Sequence, residues 1–486
     1  MSAAAGTTGS GASTPAAGTA GSSDEPDRYD LGHGTRALHV EHYELELDYR
    51  VRTNRLDATA TLRIRTLEAV KALELDLADL TVQSVAVTGA ILARYRHRAG
   101  RLTVRLTDTL PSGSVVEVTI GYAGTPRPVR SPFGEVGWEE LEDGVIVASQ
   151  PTGASSWFPC NDRPGDRSTY RTSITVEQPY RAHAHGTLTR RSTGASTTTW
   201  VFDEPHPTPT YLATVQVGRY TEVDLGTEPV PQRALVPAAQ ASLARTRLHR
   251  HAEMMRLFTD LFGPYPLAEY TLVVTPDELE IPVEAQGMAI FGVNHLRGDS
   301  GGDRLVPHEL AHQWFGNAVS VAGWQHIWLN EGFACYAEWL WSEASGGPTA
   351  HALAREHRTR LTGLAQDLVL ADPGVDDLFD DRVYKRGALT LHALRLTLGE
   401  ETYTALVRAW TARHADTPVT TADFRALAAE HAAAAGDGLV ADVEDLLTAW
   451  LDRPELPPLP DADEPGHGVA GLLGQLRRAV RTAAPS

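Results

Sequence analysis

At 486 residues, with 43 basic and 62 acidic side chains and a formal net charge of −19, the chain is long enough for two or more domains and too acidic to suit nucleic acid or an anionic membrane surface. Hydrophobic residues make up 42% of it, enough for real cores, yet no apolar run is long enough to span a bilayer. Lys71 and Lys385 are its lysines and nearly all other cations are arginine, a bias that reads as a genome rich in G and C. In chain order, residues 1–30 are mostly Ser, Ala, Gly and Thr; without a basic start or an apolar centre they read as a disordered leader, not a secretory signal. Residues 31–228 read as an all-β domain. Alternation over residues 39–49 (Val40, Tyr43, Leu45, Leu47) and short apolar runs at 56–64, 73–77, 82–87, 102–106, 115–120, 169–176 and 211–217 predict strands. Composition shifts at residues 229–237. A long amphipathic helix is expected over 238–262, with Leu243, Met254, Leu257 and Leu261 near one face and Leu248 off it. Strands are expected at 270–274 and 288–291, then a mainly helical stretch from 304 to about 451 that ends at the prolines of 456–460. Residues 229–460 form the second domain, and 461–486 a tail with one short amphipathic piece at 472–480.

The chemistry concentrates in His308-Glu309-Leu310-Ala311-His312, followed by Glu331 in Trp328-Leu329-Asn330-Glu331-Gly332. Residues four apart share a helix face, so His308 and His312 can reach one metal ion, with Glu309 beside it. Glu331 supplies a third ligand from a second helix. Two imidazoles, one carboxylate and an open position make a catalytic zinc site and not a closed structural one. A bare HExxH pattern is short and recurs by chance, but the flanks agree here. Leu310, Ala311, Trp314 and Phe315 give the first helix a buried face, and Phe333, Ala334, Tyr336, Ala337 and Leu340 do the same for the second. Glu338, seven residues after Glu331, falls on nearly the same face and is a candidate acceptor for the distal nitrogen of a ligand histidine. Trp314, Phe315 and Trp328 read as core. Cys160 and Cys335 read as two buried free thiols, which suits a reducing, cytoplasmic setting.

From about residue 38 to 460 the chain resembles the M1, or gluzincin, aminopeptidases, which include aminopeptidase N and leukotriene A4 hydrolase. The zinc motif matches without a gap. Trp157-Phe158-Pro159-Cys160-Asn161-Asp162-Arg163-Pro164 looks like the family's PCxDxP hallmark, read here as architectural. Tyr384-Lys385-Arg386-Gly387-Ala388 resembles the setting of the family's catalytic tyrosine, with Arg386 where the family has lysine. The family's Gly-x-Met-Glu-Asn motif corresponds to Ile281-Pro282-Val283-Glu284-Ala285-Gln286-Gly287, in which only the glutamate is kept. Glu280 is a rival for its role.

The resemblance implies an α+β protein, with a β-saddle domain followed by a thermolysin-like catalytic domain. It implies one Zn2+ per chain on His308, His312 and Glu331, with Glu309 as general base and acid and Tyr384 as oxyanion donor. Glu284 is the expected anchor for a substrate ammonium, and Gln150 a weaker candidate contact beside it. With about 26 residues after Pro460, the helical domain that covers the cleft in larger members is expected to be absent or a stub. The expected substrates are peptides or aminoacyl amides with a free amino terminus. Two other readings stand beside this one: a zinc peptidase or amidase without a strict free-amine requirement, and a non-catalytic peptide-binding relative.

Overall fold

The computed structural model describes residues 28–298, 302–436 and 438–460. The expected leader falls outside these residues except at its end. There Arg28–Asp30 form a 3-10 turn, and the Tyr29 hydroxyl donates to Asp372 far along the chain. The expected amphipathic piece at 472–480 also lies outside the described residues.

The first alternating segment becomes the strand Leu38–Arg50. Leu38 and Val40 are buried, and then Tyr43, Leu45, Leu47 and Tyr49. The phase changes because a register shift between Val40 and His42 inserts one residue, which turns the following side chains to the other face. This strand is central in a seven-stranded open sheet. It runs antiparallel to Arg55–Thr66 and parallel to Arg167–Glu177. A five-stranded sheet containing Gly134–Leu141 and Gly144–Ala148, and a three-stranded one, complete the β part. The hallmark loop ties them together. Cys160 pairs its backbone with Asp76, and the buried Asp162 carboxylate accepts a hydrogen bond from Thr210 Oγ1 at 2.7 Å.

Several strands escape the alternation rule for physical reasons. Gly144–Ala148 is buried almost throughout, so it has no polar face to reveal a period of two. Thr187–Thr193 is an exposed edge strand with almost no buried side chain, so its sequence is polar. The strand expected at 211–217 is shorter: Thr210–Leu212 is a 3-10 turn and pairing begins at Val215.

The boundary expected after residue 228 falls inside a hairpin. Tyr220–Gly226 pairs with Gln232–Pro237, and the sheet continues through Tyr270–Val274 and Met288–Phe291 to the edge strand Val283–Ala285. The change of sheet therefore lies between Gly218 and Tyr220.

The single long helix expected at 238–262 is two, α1 (Ala241–Arg247) and α2 (His251–Phe262). Leu248, off the expected face, marks the break and is buried at it. Next come α3 (Val293–Arg297), α4 (Gly302–Ala311), α5 (Trp328–Ser345), α6 (Ala350–Leu361) and α7 (Asp381–Leu398). The series ends with α8 (Glu400–His414), α9 (Thr421–Ala435) and α10 (Leu439–Leu451). Among the described residues no helix is long and apolar enough to cross a membrane.

Helices α5 and α7 touch at a pair of glycines. A Cβ built on Gly332 would stand 2.8 Å from Gly387 Cα, and one built on Gly387 would stand 2.7 Å from Gly332 Cα. No flexible side chain is there to give way, so both positions need glycine. The contact brings Tyr384 on α7 over Glu331 on α5. Gly332→Ala is accordingly expected to destabilise the fold by about 3 kcal/mol, read as a lower midpoint in urea, with reduced zinc content in the folded fraction.

Candidate active site

Helix α4 presents His308 and Glu309 on its last turn, and His312 follows directly after it. The chain then turns, and Glu331 enters from the first turn of α5. All four side chains are buried. His308 Nε2 and His312 Nε2 lie 3.4 and 3.5 Å from the same oxygen, Glu331 Oε2. Ligands 2.0–2.2 Å from a tetrahedral zinc ion stand roughly 3.3–3.6 Å apart, so the spacing is that of a zinc triad.

The other ring nitrogens set the tautomers. His308 Nδ1 donates to Glu338 Oε1 at 2.8 Å and His312 Nδ1 donates to the Phe315 carbonyl at 3.0 Å. Both Nε2 atoms therefore turn lone pairs toward Glu331, and the donors suit one cation between them. The carboxylates around the triad draw positive charge into the site, whether carried by a proton or by a cation. Burial opposes charge on His312, but Glu284 and Glu331 outweigh it and raise the imidazole to about 10. Burial likewise opposes ionisation of Glu331, yet His312 and His308 hold it down to about 2.

Glu309 lies beside the triad, with ligand-type atoms of it and His312 within 4.8 Å of each other, and its Oε2 is buried without a hydrogen-bond partner. Burial, with Glu284 and Glu331 adding to it against the two histidines, pushes its carboxyl up to about 7. Glu284, on the edge strand, brings a ligand-type atom within 4.8 Å of those of Glu309 and His312. That second grouping shares His312 with the zinc triad, so it does not make an independent metal site. Gln150 Nε2 donates to Glu284 Oε1 at 2.7 Å, which joins the β part to the edge strand. Glu280, the rival to Glu284, is exposed at the rim of the cleft, whereas Glu284 is 6% exposed. Tyr384 stacks on His308 with ring centroids 6.0 Å apart and lines the same cleft, a space of about 600 Å³.

Several supporting residues carry no local sequence signal strong enough to single them out. Gln313 holds the edge hairpin to the zinc motif. Its Oε1 accepts from Gly287 N at 2.9 Å and its Nε2 donates to the carbonyls of Ala285 and Met288. Asn317 Nδ2 donates to the same Ala285 carbonyl at 2.8 Å. These two amides fix the distance between Glu284 and the histidines. Arg304 reaches both oxygens of Glu338, at 3.1 and 3.2 Å; its place one turn before His308 was the only available hint. Lys385 Nζ contacts Cys335 Sγ at 3.1 Å and approaches Glu338 at 4.0 Å. Arg386, the departure from the family pattern, points away from the cleft. It is 4% exposed and donates to the carbonyls of Leu368, Trp450 and Pro454, pinning the end of α10. Phe133 of the β part meets Phe379 edge to face at 4.8 Å across the cleft. Trp314, Phe315 and Trp328 are buried in the core.

A β part of open sheets, a sheet-and-helix part behind it, and two histidines from one helix with a glutamate from the next define a zinc hydrolase of the gluzincin class. Residues 39–212 match the peptidase M1 N-terminal domain and residues 246–450 the peptidase family M1 domain. The chain belongs to peptidase family M1. It is similar to aminopeptidase M1 of Arabidopsis thaliana, 25% identical over 454 residues, which covers 85% of this chain and 50% of that protein. Leukotriene A-4 hydrolase of Xenopus laevis is 24% identical over 478 residues, covering 90% of this chain and 75% of that one. The fold is also similar to the M1 zinc metallopeptidase from Deinococcus radiodurans, with a TM-score of 0.79 and 30% identity, over 90% of this chain and 99% of that chain. A mutant of that metallopeptidase bound to a Tyr-Ser-Ala substrate matches with a TM-score of 0.80. The chain thus spans about half the length of the plant relative and nearly all of the bacterial structure.

Proposed function

We propose that this chain is a zinc-dependent aminopeptidase that removes the first residue from peptides and aminoacyl amides with a free amino terminus. The observation that carries this reading is the buried Glu284, braced by Gln150 and lying within 4.8 Å of the Glu309 and His312 donors. An ammonium paired there sets the scissile carbonyl one residue away, beside the triad. A neutral or blocked amino terminus leaves a buried carboxylate without its partner.

His308, His312 and Glu331 would hold the zinc, which supplies polarisation of the scissile carbonyl and a lowered pKa for the attacking water. Glu309 takes the water's proton on a carboxylate oxygen and later delivers it to the departing amine. The Tyr384 hydroxyl donates a hydrogen bond to the carbonyl oxygen as negative charge gathers on it, an interaction worth most in the transition state. Glu338 keeps the His308 ring oriented. The division into a β domain ending near residue 219 and a catalytic domain running to about residue 460 belongs to this reading. So does a cytoplasmic setting, which suits the buried, unbridged Cys160 and Cys335.

A second reading, a zinc peptidase or amidase without strict need for a free amine, is favoured by one feature. The approach to Glu284 runs past Ile281, which is 66% exposed and stands where the family has glycine. Fluorogenic aminoacyl amides, their N-acetylated forms and a chelator control separate the two. Under the first reading, cleavage is abolished by chelator and by acetylation. Glu284→Ala then lowers kcat/KM by roughly a hundredfold, as expected when a buried charge partner worth about 3 kcal/mol is removed. Equal cleavage of acetylated substrate, or indifference to Glu284→Ala, selects the second.

A further inference from the structure

A second cavity, of about 420 Å³, opens where the α1–α2 junction, the start of α4, and helices α5 and α6 meet. Its charge runs against that of the molecule. In a chain of net charge −19, its lining contains Arg247, Arg250 and Arg304 and a single carboxylate, Glu338. Its walls are flat and aromatic. The Arg250 guanidinium lies 4.7 Å from the centre of the Trp341 ring and pairs with Glu253 at 3.0 Å. Trp339 stacks on His357 at 5.2 Å with the planes 5° apart. Cations on the rim and flat aromatic walls are what a planar organic anion would need.

The cavity is also wired to the metal centre. Arg304 lines both this cavity and the catalytic cleft. A single nitrogen, Nη1, serves both Glu338 oxygens, and Glu338 Oε1 accepts from His308 Nδ1 at 2.8 Å. An anion beside Arg304 competes with Glu338 for the guanidinium. Glu338 is then left to interact more strongly with His308, which becomes a more electron-rich ligand and weakens the polarising power of the metal.

We propose that this cavity binds a small aromatic monocarboxylate, and that its occupancy partially inhibits the enzyme through Arg304 and Glu338. The binding half stands whether or not the aminopeptidase reading does, because it needs no turnover.

The test uses the zinc-loaded enzyme with indole-3-acetate as probe and indole-3-acetamide as its uncharged counterpart, titrated calorimetrically with a saturating hydroxamate in the cleft. The expected result is that the acid binds beside the hydroxamate and the amide binds roughly tenfold or more weakly. Arg250→Ala, and Arg247→Ala on the exposed helix end, should weaken the acid to a similar degree and leave basal kcat/KM unchanged, since neither residue lines the catalytic cleft. At saturation the acid should lower kcat to a plateau above zero, by roughly fivefold, with little change in KM. Displacement of the acid by the hydroxamate, equal binding of acid and amide, or no effect of either arginine variant would overturn the site. An unchanged kcat at saturation would overturn its link to the metal.

Discussion

Glu309→Gln is expected to lower kcat by about 10²–10⁴-fold, the range for loss of a positioned proton acceptor and donor. Zinc content should stay at one ion per chain. The amide keeps the volume of the carboxylate in a wholly buried position, and Glu309 is not among the three atoms that converge at 3.4–3.5 Å. What the amide cannot do is take a proton from water. Glu309 lines the cleft, and no protein group bonds its carboxylate there in place of that water. The check is kcat on a free-amine aminoacyl amide together with metal analysis of the same sample. Loss of zinc in parallel with activity would assign Glu309 a structural part. Full activity would remove it from the chemistry.

Tyr384→Phe is the second large effect, a fall in kcat of about 10²–10³-fold, as for removal of one donor to a developing oxyanion. Phenylalanine retains the ring that stacks on His308 at 6.0 Å, so the histidine keeps its place and the metal stays bound. The deficit should therefore appear in kcat with KM nearly constant, because the hydrogen bond strengthens only as charge develops. A rise in KM at constant kcat would place the hydroxyl on the ground-state substrate.

Much of the site was legible because its chemistry is written at helical spacing. His308, Glu309 and His312 follow the period of one helix, and Glu331 and Glu338 lie two turns apart on the next. Glu338 was singled out on that spacing alone, and the structure places it on His308 Nδ1. Gln150 lies 134 residues from Glu284 in the chain. No pattern joined them beyond the family resemblance, yet they share a hydrogen bond. Gln313 and Asn317 carry no such signal because their amides act on backbone atoms of a hairpin about thirty residues earlier, and such contacts leave no trace in the identity of the residues contacted.

The fold divides in the same way. Strands with one buried face announced themselves by alternation. The almost wholly buried Gly144–Ala148 and the exposed edge Thr187–Thr193 did not, since neither contrasts one face with the other. The helix expected over 238–262 failed at Leu248, where an apolar residue off the stripe signalled a break and not a wide face.

By itself the sequence determined the local terms: which segments are helical, which donors ride on one helix face, and that two imidazoles and a carboxylate suit zinc. Only the tertiary structure decided how those pieces face one another. The Gly332–Gly387 crossing brings Tyr384 over the metal ligands, the Gln313–Asn317 brace sets Glu284 at its distance, and Arg386 is turned away from the cleft to close α10. The reason is physical. Helical period and donor chemistry depend on neighbours a few residues away. The approach of two helices, and the partner found by a buried polar group, depend on side chains far apart in the chain, whose packing is settled only when the whole core closes.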